Sequence, residues 1–240
     1  IYCIDNNGIN ICPESLSVQA MSGVVRCNIK LSNYKQGLRL AQELDDVKLY
    51  QECGDLLEQS KQYSDAASMF IKGKQYERAA YVYTKYLIKQ DKSRITEAVA
   101  ILEKVENDQL NSAFGKACVA AGRHAEAAAA YERAKDMDKV IELRLRYLDQ
   151  TQDAFDLVRS TGSAQAAQLV AEYCIEVNDF RGGIEFLLIA NKSDEAFKIA
   201  QAQGHVEAYT QLLGDHISSD DALKVAHFFE KSQENGKAGK

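Results

Sequence analysis

The chain of 240 residues is 46% hydrophobic and 27% charged, as folded soluble proteins are, and it carries one proline, Pro13. A net charge of -6 argues against a general nucleic-acid binder, which carries a basic excess. No apolar run approaches the roughly 20 residues of a membrane-crossing helix. With almost no proline to interrupt helix interiors, the composition predicts short helices joined by tight turns.

Residues 1–13 stand apart. Asp5-Asn6-Asn7-Gly8 and Pro13 predict a loop or partial strand belonging to whatever precedes, and roughly fifteen short helices are expected from about Glu14 to Gly236. The chain opens at Ile1 without an initiator Met and stops at Gly239-Lys240 within a helical pattern, which predicts a piece of a longer protein. Its polar start lacks the charged-then-apolar order of a signal peptide.

A repeat emerges along the chain. A faint copy starts at Tyr34, with Leu38 and Ala41 four and seven residues on. The full pattern starts at Tyr63 and continues Ala67, Phe70, Gly73, Tyr76 and Ala79. It recurs as His124, Ala128, Tyr131, Ala134, Met137 and Val140, and again as Phe180, Ile184, Leu187, Ala190, Ser193 and Ala196. Offsets of four and seven share one face of an α-helix. The small residue at the tenth place lets a following helix pass close by, and the thirteenth and sixteenth places open that helix. The expected unit is an antiparallel helix pair of roughly 30 residues, close to the tetratricopeptide class. The blocks start 61 and 56 residues apart, leaving room for one degenerate pair in each interval. Gly122, Gly162, Gly204 and Gly214 each follow an apolar stretch as C-terminal caps do. Ser163 is placed to cap the next helix, and Ser218 with Asp221 has capping-box spacing. The predicted fold is all-α: a right-handed superhelical solenoid of tetratricopeptide-like helix pairs over residues 14–240, each pair packed on its neighbours.

Chemistry is sparse. Cys3, Cys12, Cys27, Cys53, Cys118 and Cys174 form no CxxC knuckle and read as free thiols, mostly in cores, of a reducing compartment. His205, His216 and His227 recur every eleven residues, but Gly204 and Gly214 divide them, and with His124 they make no HExxH or Cys–His cluster. No strand precedes Gly182-Gly183 to make a phosphate loop, and Asp220-Asp221 suit a helix N-terminus. Without strands to present a nucleophile, neither catalytic residues, metal nor cofactor is expected.

The uneven stretch runs from Lys72 to Arg94. Lys72, Lys74, Arg78, Lys85, Lys89, Lys92 and Arg94 face only Glu77 and Asp91, with Tyr76, Tyr81, Tyr83 and Tyr86 interleaved. A basic, tyrosine-rich surface suits an acidic peptide, a lipid headgroup or an RNA strand. The plainer alternative packs the tyrosines between helices and leaves the lysines as a solvated face. Lys72, Lys74, Arg78, Lys85 and Lys89 are the candidate partner surface; Tyr63, Ala67, Phe70, Gly73, Ala128, Tyr131, Ala134, Ile184, Leu187 and Ala190 are the expected packing residues.

Three segments carry a resemblance: CGDLLEQSKQYSDAASMFIKGKQYERAAYVY (53–83), GKACVAAGRHAEAAAAYERAK (115–135) and AFDLVRSTGSAQAAQLVAEYCIEVNDFRGGIEFLLIANKSDEAFKIAQAQG (154–204). In order, and with AHFFEKSQENGKAGK (226–240), they closely resemble the WD repeat-containing protein 19 family of intraflagellar transport complex A subunits, from about Val24 onward. The resemblance implies β-propellers N-terminal to a helical-repeat solenoid, of which this chain is a middle part, and no catalytic residues. It implies a scaffold for retrograde ciliary transport and ciliary entry of membrane proteins, with other complex A subunits as partners. It further implies a place in the cytoplasm, cilium and ciliary base, contact with membrane cargo only indirectly, no membrane span and no nucleic acid. Residues 1–13 depart from the family, and the connection Lys85 to Glu97 is longer than usual there. A vesicle-coat or tethering solenoid is the alternative on the same plan. An RNA-reading repeat would need fixed polar places, where Ser64, Ala125 and Arg181 vary.

Overall fold

The computed structural model describes residues 18–214 and 218–231. The expectations for residues 1–17, for His216 and for residues 232–240 lie outside the described residues. Regular structure among the described residues is helical, without strands. Two compact units meet in sequence after Ala134.

The first unit holds α1 (Val18–Lys30), α2 (Tyr34–Leu44), α3 (Val47–Gln59), α4 (Tyr63–Lys72) and α5 (Tyr76–Val82). Helix α5 runs through a π turn, Tyr83–Leu87, into the short α6 (Ile88–Gln90). A 3₁₀ turn (Lys92–Arg94), α7 (Ile95–Leu102), α8 (Asp108–Ala120) and α9 (His124–Arg133) complete it. The second unit holds α10 (Met137–Arg146), α11 (Thr151–Thr161), α12 (Ala164–Glu176), α13 (Phe180–Ile189), α14 (Ser193–Gln203), α15 (Val206–Leu213) and α16 (Ser219–Lys231).

One turn joins the helices again and again. After α3, the N–H of Lys61 donates to Glu58 and that of Gln62 reaches back to the Leu57 carbonyl at 2.9 Å. The same two bonds close α4 (Lys74 to Ile71, Gln75 to Phe70) and α8 (Gly122 to Val119, Arg123 to Cys118). They also close α12 (Asn178 to Ile175, Asp179 to Cys174) and α13 (Asn191 to Leu188, Lys192 to Leu187). This is the Schellman closure, which satisfies the last carbonyls and needs a left-handed residue. Glycine takes that place at Gly122, φ 77°, whereas Lys61, Lys74, Asn178 and Asn191 adopt it at φ between 57° and 63°. The expected caps Gly162 and Gly204 are left-handed at φ 61° and 73°. Gly214 has φ 57° with an extended ψ. Ser163 accepts the Ala166 N–H, and Ser218 both accepts the Asp221 N–H at 3.1 Å and donates to its carboxylate at 2.7 Å.

Turns this short force antiparallel neighbours. The most extensive packing joins α1 to α2, α3 to α4, and α8 to α9 in the first unit, and α12 to α13 in the second. The register therefore differs from the expectation. The helices that open at Tyr34, Tyr63, His124 and Phe180 are second members of their pairs, leaning chiefly on the helix before them. The cause is visible in glycines that give way to aromatic rings. A Cβ on Gly54 would stand 2.4 Å from the Phe70 ring, and one on Gly115 would stand 2.9 Å from the Tyr131 ring. Tyr50, Cys53, Gly54 and Leu57, then Ala66 and Phe70, fall on the spacing of the tetratricopeptide signature. Asn111, Phe114, Gly115 and Cys118, then Ala127 and Tyr131, repeat it.

The following helix packs as well, α4 on α5 and α13 on α14. Helices α4 and α13 are thus covered on two sides, and Ala66, Ala67 and Ile184 are fully buried, with Gly183 buried beside Ile184. Ala128, Phe70, Tyr131, Leu187 and Gly73 are buried, while Tyr63, Ala134 and Ala190 are half-buried. Looser pairs fill the two intervals between blocks, α5 with α7 and α10 with α11. The core of the second unit runs from Ile141 through Val170, Cys174, Phe186 and Ala200 to Phe229.

Candidate protein-docking groove

The stretch from Lys72 to Arg94 covers the end of α4, all of α5, the π turn, α6 and the 3₁₀ turn. The π turn arises where the Ile88 N–H bonds the Tyr83 carbonyl, a five-residue step that widens the helix by one residue.

Most of the tyrosines here are packing residues. Tyr63 of α4 stacks on Tyr86 with ring centroids 3.9 Å apart and planes 6° from parallel. Tyr83 is buried and donates to Glu97 at 2.9 Å; burial, then that carboxylate, pushes its phenol up to about 12. The Tyr76 ring lies under the Lys104 ammonium at 4.9 Å. Tyr81 differs, being 42% exposed.

The candidate basic residues do not converge. Lys72 sits over the Tyr50 ring at 5.6 Å, and Lys74 occupies a left-handed turn. Lys85 lies over the rings of Tyr81 and Tyr86, at 4.8 and 5.2 Å, and donates to the Tyr81 hydroxyl, which raises its pKa. Lys89 is exposed on α6. Arg78 reaches back from α5 to α3, where it pairs with Asp55 and with Glu58, the latter at 2.9 Å. Its guanidinium also covers the Phe70 ring at 4.3 Å. Two carboxylates on one guanidinium cancel its charge, so Arg78 braces α5 against α3.

Beside that brace lies a groove of about 500 Å³ between α3, α5 and the start of α8. Glu58, Glu77, Arg78, Tyr81, Leu110 and Ala113 are among its lining residues. The α8 end is held by Asn107, whose side-chain oxygen accepts the Leu110 N–H at 3.0 Å. Glu77 and Ala113 are exposed and Leu110 half-buried. The volume matches that of ligand pockets, and its composition is apolar and acidic rather than basic. Of the five basic candidates, Arg78 alone is among the lining residues.

No family model matches the chain. Over 221 residues, 92% of its length, it is 31% identical to WD repeat-containing protein 19 of Mus musculus and 30% identical to that of Homo sapiens. Over 195 residues, 81% of its length, it is 28% identical to WD repeat-containing protein dyf-2 of Caenorhabditis elegans. The chain belongs to the WD repeat-containing protein 19 family. It spans 16% of the length of the mouse and human relatives.

In this member of the WD repeat-containing protein 19 family, no cluster of His, Cys, Asp and Glu among the described residues could hold a metal ion. No described helix is long and apolar enough to cross a membrane. The thiols of Cys53, Cys118 and Cys174 are buried in their helix pairs, and that burial pushes them up to about 11, 12 and 12. Cys27 is exposed. Reading the blocks from their opening aromatics missed Gly54 and Gly115, although each sits seven residues after an apolar or polar start of the preceding helix, with Leu57 or Cys118 three residues beyond. No signal in the chain could have assembled Glu58, Glu77, Tyr81 and Leu110, which tertiary packing alone brings together.

Proposed function

We propose that this chain is a non-enzymatic, protein-holding stretch of helical repeats within a subunit of the intraflagellar transport A complex. The observation that carries the reading is the collinear likeness to WD repeat-containing protein 19 across 92% of the chain, stretches outside the repeat consensus included. The physical plan agrees with it. Repeated pairs leave broad helical faces for other chains, because each pair buries itself against adjacent pairs only. Among the described residues, ionisable groups tie helices together, as Arg26 to Glu52, Arg146 to Glu176 and Arg159 to Glu185 do.

On this reading the partners are other complex A subunits, the site of action is the cytoplasm, cilium and ciliary base, and membrane cargo is met only through those partners. The helical-repeat domain proposed for residues 14–240 supplies the surfaces on which they assemble. The test is co-purification of the tagged full-length protein from ciliated cells, followed by mass spectrometry. Recovery of complex A subunits, with their loss when this segment is deleted, is the expected result. Recovery of vesicle-coat components without complex A subunits would overturn it in favour of the coat reading.

A further inference from the structure

We propose that the groove between α3, α5 and α8 docks a basic, apolar-anchored segment of a partner protein. The inference rests on the chain being a protein-holding repeat, and not on which complex it serves.

Charge decides the sign of the occupant. Glu58 and Glu77 line the α3 and α5 walls with Arg78 between them, and Asp55 of α3 adjoins the groove through its pair with Arg78. Asp55 and Glu58 share that one cation, while Glu77 is exposed and has no ion pair among the described residues. Two lining carboxylates and the adjoining Asp55 against one guanidinium leave the groove net negative. Lys85, one turn past Tyr81, is taken up by the rings of Tyr81 and Tyr86 and by the Tyr81 hydroxyl. The same groove is lined by the exposed ring of Tyr81, one turn past Glu77 on α5, and by Leu110 and Ala113 of α8. An incoming leucine or aromatic side chain would cover that apolar strip. Arg or Lys neighbours would meet Glu77 and the second oxygens of Asp55 and Glu58, where guanidinium forks match carboxylates. An acidic peptide, the occupant that the basic residues of this stretch suggest in sequence, would meet like charge.

Short fluorescent peptides test this with the whole 240-residue chain by anisotropy: one alternating Arg and Leu, a charge-reversed Glu and Leu version, and an Arg and Ser version without apolar anchors. The Arg–Leu peptide is expected to bind saturably, at least about tenfold more tightly than the other two, and to weaken as salt rises. Glu77→Lys should weaken it about three- to tenfold and Tyr81→Ala by a similar factor. Glu172→Lys, an equal charge change at an exposed position of α12, should leave it within about twofold, which separates docking from attraction to a net-negative protein. Equal binding of the Glu–Leu peptide, equal effects of Glu77→Lys and Glu172→Lys, or no saturable binding would each overturn the proposal. None of those results bears on co-purification with complex A subunits, so the two readings fail separately.

Discussion

Adding one methyl group at Gly54 sets helix propensity against packing. In a helix interior, alanine is favoured over glycine by about 1 kcal/mol. At Gly23 of α1 a Cβ would meet nothing within 4 Å, so Gly23→Ala should be stabilising by about that amount. At Gly54 the same atom would stand 2.4 and 2.6 Å from two Phe70 ring carbons, about 1 Å inside ordinary contact. The ring has nowhere to retreat. Phe70 is fully buried, and a face of its ring is covered by the Arg78 guanidinium that Asp55 and Glu58 hold in place. Overpacking costs about 1–3 kcal/mol, and an overlap of about 1 Å against a fully buried ring falls in the upper part of that range, about 2–3 kcal/mol. After the helix-propensity gain of about 1 kcal/mol, Gly54→Ala should be net destabilising by roughly 1–2 kcal/mol. The two alanines should therefore differ by about 2–3 kcal/mol in opposite directions. Because two compact units need not unfold together, the assay is hydrogen exchange read over the peptides of α1 and of α3 with α4. The double variant Gly54→Ala, Phe70→Leu should recover at least about 1 kcal/mol relative to the sum of the singles. Protection of α3 and α4 in Gly54→Ala equal to or above that of the parent would refute the pairing of α3 with α4 through this glycine.

Lys61 and Lys74 hold left-handed turns that disfavour side chains by about 1 kcal/mol, so Lys61→Gly and Lys74→Gly should each raise thermal stability, whereas Gly122→Ala should lower it by a similar amount; calorimetric melting measures all three. Loss of the Asn107 cap in Asn107→Ala should be destabilising by about 1 kcal/mol and loosen the α8 side of the groove, seen as faster exchange at Leu110. Iodoacetamide at neutral pH should label Cys27 and spare Cys53, Cys118 and Cys174 until denaturant is added, as peptide mapping would show. The same three thiols, with Tyr83 and Tyr209, have folded pKa values raised above their ordinary ones, to between about 11 and 12. Their contribution is complete below the unfolded values of 9.0 and 10.0 and is lost as pH climbs through the folded ones. Stability to urea should accordingly fall above about pH 9; a flat profile to pH 11 would contradict that burial.

Much of the architecture was legible before any coordinates. The offsets from Tyr63, His124 and Phe180 mark helix faces, the scarcity of proline permits short uninterrupted helices, and Gly162 and Gly204 end theirs in left-handed caps. Such features depend on a residue and its neighbours within a turn or two, and backbone sterics with helix periodicity determine them locally. Even so, the turns at Lys61 and Lys74 were invisible, because nothing in a lysine side chain marks a left-handed residue, whereas Asn178 and Asn191 are of the type that takes that place next after glycine.

Which helix each block leans on was decided only by the tertiary structure. A helix buried on two sides shows the same period towards either neighbour, and the hole at Gly54 or Gly115 acquires meaning once an aromatic ring is seen to fill it. The character of the docking face was settled in the same way. A string of Lys and Arg residues reads as positive in sequence, yet Arg78 is neutralised by two carboxylates from another helix, and what remains beside it is acidic and apolar. Sequence determined where the helices are, since that is short-range chemistry; three dimensions determined which charges cancel and which surfaces stay open, since that depends on residues brought together from twenty or more positions apart.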